Sequence, residues 1–159
     1  TFCHTASFRF LQSIGQPLLS YKSIRLAPPM PQATINAGWD LIVHDLSILI
    51  GLGAINVGSS YVGAEDGSVA NASMALPSGG SAFIMASRAW PIKIREIVLH
   101  FPQCAYLWTL DGLMTISRDI IIKETVEPLK LLIQDFEHRC QNRETTGVTD
   151  GLHGAEVVG

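Results

Sequence analysis

AGWDLIVHDLSILIGLGAINVGSSYVGAEDGSVANAS, residues 37–73, is the stretch whose reading decides the fold class. Asn36 stands where a helix N-cap belongs. Trp39, Ile42, Val43, Leu46, Leu49 and Ile50 then recur at the i, i+3, i+4, i+7 spacing of an amphipathic helix. Asp40, His44, Asp45 and Ser47 fall on the other face, and Asp40 lies in the first turn, where its charge suits the helix dipole. Gly51-Leu52-Gly53 stops the helix. Ala54 to Val62 is β-prone, Glu65-Asp66-Gly67 turns the chain, and Ser68 to Leu76 predicts the returning strand of a hairpin.

Working outward, the same grammar recurs. Cys104 to Leu110, Asp111-Gly112 and Leu113 to Ile122 predict a second Asp-Gly hairpin. Ala82 to Trp90 reads as a short helix that Pro91 ends, with Ser81 as its N-cap. Ile92 to Phe101 fits either a helix, by its spacing, or a strand, by its Ile and Val content. Thr125 to Cys140 predicts a helix with Pro128 in its first turn and a buried stripe of Val126, Leu129, Leu132, Ile133 and Phe136. The expected fold is a single α+β domain over residues 37–142, an antiparallel sheet with two Asp-Gly hairpins and helices packed on its faces. Residues 1–36 read as a basic, acid-free arm with one short strand at Leu18 to Leu26, and 143–159 as a Gly/Thr-rich tail.

Composition narrows the function classes. The 159 residues are 47% hydrophobic and only 16% charged, with a net charge of −3, which argues against a nucleic-acid partner. Three widely spaced cysteines, Cys3, Cys104 and Cys140, make no disulfide framework and point to a reducing, cytoplasmic setting. The first acidic residue is Asp40, preceded by Arg9, Lys22 and Arg25 among many Ser and Leu residues. That bias suits either an ordinary basic arm or a mitochondrial or other organellar targeting segment, which Pro28, Pro29 and Pro31 end as a stiff linker. Mean hydropathy is +0.27, and the uncharged run Leu46 to Ala64 is just long enough to span a membrane. Its glycines favour a helix stop near Gly51 over a spanning helix.

No motif announces chemistry. Gly51-Leu52-Gly53 with Gly58 matches neither a dinucleotide fingerprint nor a phosphate loop. His44 and Asp45 are adjacent, so on a helix they diverge and form no dyad. The histidines lack metal-ligand spacing, and no metal or cofactor is expected. Cys104 paired with a remote His keeps a small α+β enzyme open as an alternative. Tyr106 and Trp108 alternate on one sheet face and, with Trp39, suit either core packing or an apolar groove for a peptide.

Ala37, Trp39, Asp40 and Ile42, followed by Asp66-Gly67-Ser68-Val69 at hairpin distance, resemble the opening of a profilin. Pro91 to Phe101 and Leu110 to Ile116 extend the likeness in part, over about half the chain. The resemblance implies a non-enzymatic interaction module whose peptide-binding residues are Trp39, Ile42, Tyr106 and Trp108. Its partners would be proline-rich segments in the polyproline conformation and actin monomers. The Thr125 to Cys140 helix would form the other wall of the groove. A subunit of an organellar or membrane-associated assembly, using the arm or Leu46 to Ala64, is the competing class.

Overall fold

The computed structural model describes residues 2–29, 36–54, 59–125 and 128–142. A 3-10 turn at Phe2–His4 leads into α1 (Ala6–Ser13), which Thr5 caps by accepting the Phe8 N–H at 3.2 Å. Strand β1 (Ser20–Leu26) follows. A π-helical turn at Gly38–Ile42 runs into α2 (Val43–Gly51), and Asn36 accepts the Trp39 N–H at 3.0 Å. Strands β2 (Ser59–Gly63) and β3 (Val69–Ala75) form the first hairpin. Then come β4 (Ser81–Ser87), β5 (Ile94–His100), β6 (Ala105–Thr109), β7 (Gly112–Thr115), β8 (Ile120–Lys123) and α3 (Pro128–Asn142).

The eight strands form one mixed sheet in the order β2-β3-β4-β1-β5-β6-β7-β8. The molecule is an α+β domain, but its sheet is not purely antiparallel as expected: β1 pairs β4 in parallel, from Ser20↔Ser81 to Leu26↔Ser87. A parallel neighbour needs a long crossover, and the segment carrying α2, β2 and β3 supplies it. Residues expected to form an arm therefore provide the middle of the sheet, since β1 pairs β4 on one side and β5 on the other.

Burial alternates with period two along β1, β4 and β5, so one face holds the core. Phe8 and Leu11 of α1 and Ile48 and Leu49 of α2 pack there with Ile84, Ile97, Leu99 and Trp108. The opposite face presents Lys22, Phe83 and Glu96 to solvent, so the helices do not cover both faces. The expected helix at Ala82 to Trp90 is β4: Ala82, Ile84 and Ala86 are buried in strand alternation. Ile92 to Phe101 resolves as a strand, β5. The α3 stripe is not buried either. Leu129, Ile133 and Phe136 are exposed, Leu132 is half-buried, and Val126 lies outside the described residues. The 143–159 tail is outside them too. Among the described residues no helix is long and apolar enough to cross a membrane, and part of the Leu46 to Ala64 run (55–58) is not described.

Candidate functional site

The chemistry gathers where the start of the α2 segment meets the C-terminal end of the parallel pair. Two local devices place it. The Asp66-Gly67 turn puts Gly67 at φ +70°, and a Cβ there would meet the Asn36 Cβ at 2.6 Å. The Gly67 carbonyl accepts the Ala37 N–H at 2.8 Å, so the hairpin turn anchors the helix entry. The Ala27 N–H donates to the Ser87 carbonyl at 2.8 Å, closing the ends of β1 and β4 together.

Arg88, just past β4, grips Asp40 of the π-helical turn. Its Nε donates to Asp40 Oδ2 at 2.6 Å, and a second guanidinium nitrogen bonds the same oxygen. Both side chains are partly exposed, so this charge pair faces the surface at the end of the sheet. π-Helical turns are rare and concentrate at functional sites. Trp39 and Trp90, close in sequence to Asp40 and Arg88, are exposed at 60% and 45%.

Four residues beyond Asp40 stands His44, half-buried. Burial, and next the Arg25 charge, hold its imidazole below the ordinary histidine range, against the pull of Asp45 and Asp40. That shift favours the uncharged imidazole. The next residue, Asp45, anchors a buried polar network. Asp45 is fully buried and accepts from the Tyr21 hydroxyl at 2.5 Å and from Arg25 Nε. Burial and the Asp45 carboxylate push the Tyr21 phenol well above its usual range. Arg95, directly opposite Arg25 in the β1–β5 ladder, lies over the Trp108 ring at 4.6 Å from its centroid.

The four residues expected to bind a peptide do not line one exposed groove, because two of them, Ile42 and Trp108, are buried. Trp39 is exposed beside Asp40, whereas Ile42 is buried in the core at 4%. Trp108 is fully buried under Arg95. Tyr106 makes edge contacts with Phe10 and Phe101, ring centroids 5.6 and 6.2 Å apart. Cys104 belongs to the β5–β6 turn, at the far end of the strands from Arg88. Cys3 is buried, and burial raises its thiol. Among the described residues no group of His, Cys, Asp and Glu could hold a metal ion. Sequence reasoning passed over Asp40 and His44. Their i, i+4 spacing was the available signal, hidden because both were read as a solvated helix face.

No protein-family model and no curated protein matches the chain. Solved structures do. A UDP-N-acetylglucosamine 3-dehydrogenase from Acidithiobacillus ferrooxidans superposes with a TM-score of 0.84 at 23% identity, covering 99% of this chain and 56% of its own. A scyllo-inositol dehydrogenase from Lactobacillus casei matches with a TM-score of 0.67 at 13% identity, over 98% of this chain and 55% of its own. A dehydrogenase from Clostridium difficile matches with a TM-score of 0.67 at 9% identity, over 98% and 55%. The chain thus shares a fold with just over half the length of these dehydrogenases. That overturns the profilin resemblance and, with it, the non-enzymatic module and its proline-rich and actin partners. The short motifs behind the resemblance describe a helix and a hairpin, which many folds contain.

Proposed function

We propose that this chain is the substrate-facing, acid–base half of an oxidoreductase of the Gfo/Idh/MocA type, one that oxidises a hydroxyl of a sugar or cyclitol. The observation that carries the reading is His44, a half-buried imidazole shifted toward its uncharged form beside the Asp40–Arg88 pair, on a fold shared with dehydrogenases. Oxidising a secondary alcohol removes a hydroxyl proton and a carbon-bound hydride. A neutral imidazole at the hydroxyl takes the proton, and the same group returns it in the reverse direction. Arg88 and Asp40 offer a donor and an acceptor to neighbouring hydroxyls of a polyol. The exposed indoles of Trp39 and Trp90 suit the apolar face of a ring.

A hydride acceptor is implied by the neighbours, which are dehydrogenases. Dinucleotide pyrophosphates are held where a mostly parallel sheet feeds a glycine-rich turn into a helix. Here one of the seven strand pairings is parallel, and the sequence contains no G-x-G-x-x-G. The described residues do not fit a dinucleotide, so its binding is assigned to another part of the enzyme.

The test uses the full-length protein with NAD or NADP and a panel of cyclitols and nucleotide sugars, reading reduced nicotinamide by absorbance. His44→Asn is expected to lower kcat by about 10²–10⁴, the usual contribution of general acid–base catalysis. An unchanged kcat in a folded His44→Asn protein would remove His44 from this role.

A further inference from the structure

Helix α3 has two sides with packing chemistry, and this domain uses one of them. Leu131, Leu132, Asp135 and Arg139, at i, i+1, i+4 and i+8, are half-buried. Among the described elements, the one α3 packs on most is the Phe2–His4 turn. There the buried His4 Nδ1 lies 3.9 Å from Asp135 Oδ2, and Arg139 Nε donates to the same oxygen at 2.7 Å. Leu129, Ile133, Phe136 and Cys140, at i, i+4, i+7 and i+11, form a second row that faces solvent. The first three are 53%, 49% and 65% exposed. A single exposed apolar side chain is ordinary, whereas an aligned row of large ones is the pattern by which a helix seats itself in a groove.

The surroundings of α3 indicate what covers this row. The Phe2–His4 turn also meets α2, where Cys3 Sγ donates to the Ser47 carbonyl at 3.6 Å, one helical turn beyond His44. Through that turn, α3 is joined to the helix that carries the acid–base group. Alcohol oxidation takes a proton from the oxygen and a hydride from the carbon bonded to it. The two leave adjacent atoms of one substrate, so the portion of the enzyme that holds the dinucleotide has to border this domain on the side of His44. The chain spans just over half the length of the dehydrogenases that share its fold, and its described residues do not fit a dinucleotide. We propose that the Leu129–Ile133–Phe136 row is the docking surface for that dinucleotide-binding portion, a mostly parallel α/β unit whose apolar groove receives the three side chains. This rests on the reading of the chain as the acid–base half of an oxidoreductase, and it adds the contact that holds the two halves in register.

Photo-crosslinking in the full-length protein tests the docking without substrate or activity. Benzoylphenylalanine in place of Ile133, and separately in place of Phe136, samples the row at exposed positions where replacement leaves the fold intact. After irradiation, peptide mass spectrometry should join each position to the glycine-rich, dinucleotide-binding portion outside residues 1–159. A cross-link to residues 143–159, a covalent pair of two copies joined through these positions, or no cross-link overturns the proposal. Phe136→Asp supplies a second readout. A loosened dock should lower kcat about 10²-fold, the cost of misplacing reacting groups, while the Kd for NAD changes by less than about twofold. An unchanged kcat in that variant counts against docking by this face. The cross-link needs no catalysis, so its failure is distinct from failure of the His44→Asn test, which would overturn the parent reading of His44.

Discussion

Asp45→Asn is the perturbation that tests the architecture most directly. The carboxylate is fully buried and holds two donors, the Tyr21 hydroxyl and Arg25 Nε. An asparagine amide oxygen can still accept from Tyr21, so that bond is weakened rather than lost. The Arg25 charge, however, remains inside with no carboxylate bonded in that place. Breaking a buried ion pair by removing one partner costs about 3–5 kcal/mol. Replacing a charged acceptor by a neutral one adds to this, but the two effects share one atom and do not sum. The expected loss is therefore about 4 kcal/mol, a large fraction of the roughly 5–15 kcal/mol typical of a domain. Urea unfolding at neutral pH, followed by tryptophan fluorescence, measures it. Two further variants separate charge from hydrogen bonding. Tyr21→Phe should cost only about 1.5–3 kcal/mol, the value of a hydrogen bond to a charged group. Arg25→Met/Asp45→Leu, which removes both charges, should come within about 1 kcal/mol of the parent or exceed it. An Asp45→Asn protein within about 1 kcal/mol of the parent would refute the buried pair as described.

The tryptophans separate by burial. Trp108→Ala should cost about 3–5 kcal/mol in urea unfolding, whereas Trp39→Ala should stay within about 0.5 kcal/mol, and equal losses would contradict the fold. Gly80→Ala should destabilise the start of β4, because a Cβ there would lie 1.8 Å from the Leu19 carbonyl oxygen. Thermal unfolding checks this, with a Tm equal to the parent's counting against the close approach. Acid should weaken the domain through its histidines. Burial lowers both His4 and His44 from their ordinary 6.5, so the unfolded chain binds these protons first. The stability they contribute is whole above that value and is lost as pH falls through their folded-state values. The urea midpoint should therefore decline below about pH 6.5, less steeply in His4→Gln, and a flat midpoint would argue against it.

The local devices were legible. Both Asp-Gly hairpins and the helix ending at Gly51 follow from turn chemistry and periodicity that act within a few residues. Ala82 to Trp90 misled because alanine favours helix, while Ala82, Ile84 and Ala86 in fact supply the small buried face of β4, between β3 and β1. Tyr106 and Trp108 do share a face, but packing decides which of them is sealed. Trp108 lies under Arg95, and Tyr106 rests against Phe10.

By itself, the sequence determined the helix with Asp40 and His44 one turn apart, the two hairpins and a chain apolar enough for a large core. Tertiary structure alone decided that Arg25 and Arg88, distant in sequence, converge on that helix from β1 and the end of β4. The parallel β1–β4 pairing brings them there. The reason is physical. Periodicity and turn propensity are short-range, so one chain reports them directly. The parallel pairing and the burial of charge depend on which distant strands meet, and those contacts exist only once the sheet has formed.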